Sequence, residues 1–485
     1  MLFNSKEFIL FLPTIFILYW FIFKNNIKVQ NFLLLISSYF FYGWWDWRLL
    51  FLIFISTLVD YYVGQNIYIS KNRRVRKFYL SLSIIFNLTL LGFFKYFNFF
   101  IDSWVNFISL FGYNHLSTWT LNIVLPIGIS FYTFQTMSYS LDIYYNKLKP
   151  TWDFISFASF VSFFPQLVAG PIERASNLLP QILSKRKFKY EQGVQGLRLI
   201  LWGLFKKVVI ADSLSWRVNY CFENFELLDG GTLFLGLIYF SIQIYCDFSG
   251  YSDIAIGTAK LFGIKLMSNF KFPYFSRNIG EFWRRWHISL STWFRDYMYI
   301  PLGGSKGSIW FSIRNIFLIF IISGLWHGAN WKFMLWGLIH SLFYIPLFLV
   351  GKNRKYIFSI VSKNNILPTF RELLQMLLTF SVTSIAWVFF RAETLAHAWS
   401  YLKGIFSKSL FAIPQFEGNT QSTICILLLV FFMALEWFGR EGDFAIDHIT
   451  KSQSRLKRWL LYAFLIFLIG MYIPTNENAF IYFQF

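Results

Sequence analysis

The chain has 485 residues, of which 56% are hydrophobic, 23% aromatic and only 14% charged, against about 25% charged in an ordinary soluble domain. So little charge cannot coat a water-facing surface of this size. With a mean hydropathy of +0.49 and repeated long apolar runs, the composition excludes soluble, disordered and secreted classes and predicts a polytopic helical membrane protein.

Lys and Arg number 44 against 24 Asp and Glu, a formal net charge of +20. In a bilayer protein this excess reads as basic loops held at the cytoplasmic face, not as a nucleic-acid surface. Cys221, Cys246 and Cys425 are far apart and show no CxxC spacing, so they read as packing residues and not as a disulfide framework or zinc site. The first residues lack the basic start and small-residue cleavage site of a signal peptide, so the first apolar run is expected to be retained.

A spanning helix needs about 20 apolar residues. Suitable runs lie near 8–23, 31–45, 48–66 and 78–100. The basic stretch 71–77 is predicted inside and 101–122, without Lys or Arg, outside, which turns the N-terminus outward. Runs 123–142 and 154–170 carry Pro126, Gly128, Pro165, Gly170 and Pro171. If both crossed, the basic stretch 185–189 would fall outside. One of them is therefore expected to be re-entrant, since broken backbone at membrane depth is tolerated only where it is buried in protein or lines a watery cavity. Two short tilted helices are the alternative.

Further runs near 195–212, 232–250, 309–326, 332–350, 372–390, 422–438 and 459–473 bring the expectation to about 11–13 crossings. The basic segments 352–355 and 451–458 then fall inside, and the acidic segment 223–229 outside. The expected fold is all-α: one membrane domain over 1–485, a transmembrane bundle with re-entrant or broken helices around a central cavity.

Residues 243–340 interleave ionisable groups with aromatics, and such groups at membrane depth are functional candidates by default. Asp247 and Asp253 flank Gly250, either as a proton path or cation site, or as caps on a helix break at the glycine. In 281–296, Trp283, His287, Leu290 and Phe294 recur on one helical face while Arg284 and Arg295 share another, which predicts one amphipathic helix. It lies at the cytoplasmic interface with its arginines among headgroups, or Arg284, Arg285 and Arg295 hold the phosphates of an anionic donor.

His327 follows an apolar run, between Gly324 and Gly328. Desolvation disfavours its charged form, so it is expected to be neutral near pH 7 and able to accept a proton, as general-base activation of a hydroxyl requires. A hydrogen-bonded packing histidine is the alternative. His340 is a weaker candidate, and His115, His397 and His448 fall in predicted loops. No GxSxG elbow, HExxH helix or P-loop is present, no cysteine lies in the histidine motifs, and no metal site is expected. Trp326, Asn330 and a backbone N–H near Gly328 are candidate hydrogen-bond donors beside His327.

Residues 282–293 together with 324–330 resemble the two-histidine signature of the membrane-bound O-acyltransferase superfamily. Segments 125–132, 164–171, 247–253, 387–393 and 480–485 extend the likeness over nearly the whole chain, toward its bacterial alginate O-acetyltransferase branch. The resemblance implies a multi-pass enzyme of the bacterial inner membrane with no bound cofactor. It would pass an acetyl group from a cytoplasmic thioester, acetyl-CoA or similar, toward an extracytoplasmic polysaccharide through a partner acetyltransferase or acceptor protein. It makes His327 the catalytic histidine and His287 its supporting partner.

The helix from Arg314 to His327 rises about 20 Å, most of a core of about 30 Å, so the base is expected to be reached from the outer side and the thioester from below. Two alternatives stay open: D-alanyl transfer to teichoic acid, and a proton-coupled transporter using Asp247 and Asp253. The transporter would need a discontinuous helix in each half, and no matching pair is found in the second.

Overall fold

Within hydrocarbon a backbone must satisfy its own hydrogen bonds, so apolar runs become helices. The computed structural model describes residues 1–112, 120–121, 123–416, 419–473 and 480–481, and among these every regular element is helical, with no strand. Among the described residues, seven helical runs are long and apolar enough to cross a membrane: Ile27–Ile69, Arg73–Ser109, Gly230–Leu261, Ile309–His327, Trp331–Leu349, Phe370–Arg391 and Gln421–Gly439. The first contains two expected spans, Ile27–Asp46 and Leu50–Ile69, separated by a 3-10 turn that the Asp46 carboxylate caps by accepting from the Arg48 N–H.

The other expected runs fold differently. Residues 8–23 form the 12-residue helix Lys6–Ile17 and a π turn. Run 123–142 gives the 16-residue helix Ile129–Tyr144, and 154–170 breaks into Phe154–Ser162 and Phe164–Leu167. These are the short, buried, interrupted helices that their prolines and glycines predict. Run 195–212 passes from the helix Tyr190–Leu204 into a seven-residue π-helix, Phe205–Ala211, and 459–473 lies in Arg455–Tyr472.

The chain groups into two compact units, one of residues 1–193, 259–267 and 328–330, the other of 194–258, 268–327 and 331–485. In the first, the buried Asp60 carboxylate accepts hydrogen bonds from Ser83 Oγ, from Asn87 Nδ2 at 2.7 Å and from Ser140 Oγ at 2.8 Å. One acid thus ties together the helices Leu50–Ile69, Arg73–Leu91 and Ile129–Tyr144, the polar adhesion available where no hydrophobic force drives helices together.

The second unit holds the candidate histidines His287 and His327. The 32-residue helix Gly230–Leu261 is continuous through Gly250, so the alternative in which the aspartates cap a helix break there does not hold. A Cβ on Gly250 would stand 2.8 Å from the Gly203 carbonyl oxygen, and one on Gly203 2.5 Å from that of Gly250. The glycine is a site of close helix approach instead of a kink.

Candidate active site

The helices Ile309–His327 and Trp331–Leu349 form a tight hairpin, because a Cβ on Gly324 would lie 2.1 Å from the Phe333 carbonyl oxygen and one on Gly337 2.2 Å from that of Phe320. That approach sets His327, the last residue of its helix and 4% exposed, among aromatic rings. Its ring centroid lies 5.0 Å from Trp326, 5.2 Å from Trp336 and 5.3 Å from Phe390.

His287 comes to within 6.3 Å of His327, ring to ring. It does not ride on the amphipathic helix its spacing predicts. The segment is two seven-residue helices, Ile279–Arg285 and Ile288–Phe294, and His287 stands between them at φ 42°, ψ 55°, left-handed backbone that a non-glycine residue rarely adopts. The reason is tertiary. Trp286, fully buried, wedges among Phe270, Tyr274, Phe282 and Trp387, and the chain must turn to place both it and the next side chain inward. Asn269 receives the turn, its carbonyl accepting from the Ile288 N–H at 2.9 Å and its side-chain oxygen from Ser289 Oγ at 2.5 Å. The His287 ring meets Phe248 edge-on at 4.7 Å and lies 5.7 Å from Trp326. Burial pushes the His287 imidazole down to about 3, so it is neutral at pH 7.

Asp247 and Asp253 do not cap a break, since the helix runs on through both. Asp253 pairs with Lys206 at 2.7 Å, and Asp247 with Lys207 at 2.8 Å, while Lys207 also meets Asp212 at 2.9 Å. The π-helix Phe205–Ala211 lets two consecutive lysines turn inward, and every one of its residues is buried. Sequence reading missed both lysines, although their position inside the apolar run 195–212 was a usable signal. Asp247 also accepts from the Ile481 N–H at 2.7 Å.

A cavity of about 860 Å³ is lined by Lys271, Arg284, Arg285, Arg295 and Arg354, by Glu281, and by Trp283, Phe320 and Ser323. Ser323 is one helical turn, about 6 Å, before His327. The arginines are anchored: Arg284 donates to the Asn353 carbonyl at 2.7 Å, Arg285 pairs with Glu281 at 2.8 Å, and Arg295, the most exposed, pairs with Asp296 at 2.7 Å. Burial lowers the Arg284 and Arg285 guanidinium values from the ordinary one. Arg277, unnoticed in the sequence, braces the cavity wall through Glu281, Glu372 and a cation–π contact 3.8 Å from the Tyr356 ring.

His340 is fully buried, 4.9 Å from Trp283 and 4.8 Å from Trp336. His397 is not in a loop: it is half-buried on the helix Leu395–Ile405 and stacked on Phe225 at 4.4 Å. His448 is exposed, on the helix Ala445–Ser452, and His115 lies outside the described residues. Asn330, in the short turn before Trp331, belongs to the other unit. Cys221, Cys246 and Cys425 are buried free thiols.

The sequence matches the model of the family described as MBOAT, membrane-bound O-acyltransferase, over residues 42–358. It is 38% identical to the probable alginate O-acetylase AlgI of Pseudomonas aeruginosa, over 90% of this chain and 81% of that protein. It is 37% identical to the peptidoglycan O-acetyltransferase of Helicobacter pylori, over 84% and 80%, and 28% identical to the teichoic acid D-alanyltransferase of Bacillus subtilis, over 46% and 58%. These relatives decide between acyl transfer and transport. With seven helices fit to cross a bilayer and two buried histidines side by side, the chain is a multi-pass O-acyltransferase and belongs to the membrane-bound O-acyltransferase family.

Proposed function

We propose that this enzyme passes an acetyl group from a cytoplasmic thioester, acetyl-CoA or a similar donor, toward a polysaccharide outside the bacterial inner membrane, handing it on through an extracytoplasmic acetyltransferase or acceptor protein. The observation that carries this reading is the cavity, lined by four arginines and a lysine and also by Ser323, one helical turn before His327. Cations lining the cavity suit the phosphates of a thioester carrier, and the aromatic lining at Trp283 and Phe320 suits the carrier's arm. Relatives named as O-acetyltransferases match 84–90% of the chain, whereas the D-alanyltransferase of Bacillus subtilis matches 46%, which favours acetyl over D-alanyl.

His327 acts as general base. One ring nitrogen takes the proton of the acceptor hydroxyl as its oxygen attacks the thioester carbonyl, the tetrahedral oxyanion collapses, the C–S bond breaks and the thiolate leaves with the proton. Trp326, 5.0 Å from His327, is the candidate oxyanion donor within the same unit. His287, neutral and wedged against Phe248, positions His327 and does not compete for the proton. Replacing His327 by Ala is expected to lower acetyl ester on surface polysaccharide by about 100-fold or more, with the protein still accumulating in the membrane. Unchanged acetylation, measured by mass spectrometry of the polymer, would overturn the assignment.

A further inference from the structure

Four buried polar atoms, on the cavity-lining Trp283 and on the two fully buried residues packed directly behind it, have no hydrogen-bond partner among the described residues: the indole Nε1 atoms of Trp283 and Trp336, and both ring nitrogens of His340. Buried polar groups in folded proteins are almost always paired, and each exception calls for an explanation. These four are contiguous. Trp283 lines the cavity, His340 lies 4.9 Å from Trp283, Trp336 lies 4.8 Å from His340, and His327 lies 5.2 Å from Trp336. They form a file from the cavity wall to the proposed base.

A cluster meant only to fill space would use phenylalanine or leucine at these positions and avoid the desolvation cost of unpaired N–H groups. The chemistry of the file also specifies its complement. Two indoles donate only, and a neutral imidazole donates once and accepts once. Together they fit a chain that carries both carbonyl oxygens and N–H groups.

We infer that Trp283, His340 and Trp336 form an amide-recognising wall along which the thioester-bearing arm of the donor passes from the cavity to His327. The wall selects an arm containing amides over a plain hydrocarbon chain. This rests on the acyl-transfer reading above and adds to it residues that set how deeply the donor seats. His340 is a positioning residue here, reached through Trp283 on one side and Trp336 on the other.

The test is equilibrium binding to the purified full-length protein in lipid nanodiscs, using two probes that cannot be cleaved. The first is S-acetonyl-pantetheine, whose arm has two amides. The second is an S-acetonyl alkane thioether of matching length with none. The wild type is expected to prefer the amide probe by about tenfold or more, because a site built for hydrogen bonds rejects analogues that lack them. His340→Phe and Trp283→Phe should each cut that preference several-fold while leaving the hydrocarbon probe's affinity nearly unchanged, and His340→Gln should restore most of it. A purely structural role would weaken both probes together, and that result would overturn the wall. So would a wild type that shows no preference, since the four atoms would then be served by ordered water. Turnover is read separately with labelled acetyl thioester: amide-probe binding without transfer would sink the proposed function and leave the wall standing.

Discussion

At His287 the backbone enters left-handed space so that Trp286 and the imidazole both point inward. The consequence for chemistry is a histidine held neutral by burial, its value pushed to about 3. Replacing it by Asn is expected to slow acetyl transfer by up to about 100-fold through misplacement of its neighbour. The shape of the pH–rate profile above pH 5 should not change, because His287 does not titrate there. Stability carries the opposite signature. Between about pH 6.5 and pH 3 the unfolded chain binds a proton that the folded chain refuses, so the stability present above about 6.5 is lost as the pH falls. The melting temperature of the wild type in detergent should therefore drop more between pH 7 and pH 5 than that of His287→Asn, and an equal drop would count against a buried neutral imidazole.

Among the helices, the hairpin of Ile309–His327 and Trp331–Leu349 decides where His327 sits. Substituting Gly337 by Val would place a Cβ about 2.2 Å from the Phe320 backbone oxygen, an approach no side-chain motion relieves. Loss of transfer and a lowered melting temperature are expected together. Gly470, where an added Cβ would meet nothing within 4 Å, is the matched control, and Gly470→Ala should change stability by no more than about 0.5 kcal/mol. Much at this scale is legible in the sequence. The spans at 232–250, 309–326, 332–350, 372–390 and 422–438 reappear as helices because their apolar length alone demands it. The continuous helix expected over 281–296 does not form. Period-3.6 spacing reports which residues share a face if the chain stays helical, and the turn at Trp286 is imposed by tertiary burial that spacing does not encode.

Taken whole, the second unit carries a buried electrostatic core in which Lys206 pairs with Asp253 and Lys207 with both Asp247 and Asp212. Lys207→Met would remove the cation that two carboxylates share and is expected to cost about 3–5 kcal/mol, with Asp247→Asn added in the same chain recovering part of it; thermal unfolding of the purified protein measures both. A single mutant as stable as the wild type would show that the pairs are weaker than their distances suggest. The sequence by itself determined the solvent, the helical class, the scarcity of internal charge and the two histidine motifs. Each follows from composition or from a contiguous run of residues. Only the tertiary structure decided which lysine answers which aspartate, that Gly250 marks a close helix approach, and that Trp283, His340 and Trp336 stand in file toward His327. Those relations join residues as far apart along the chain as Trp283 and His340, and no local period or propensity carries information over such a distance.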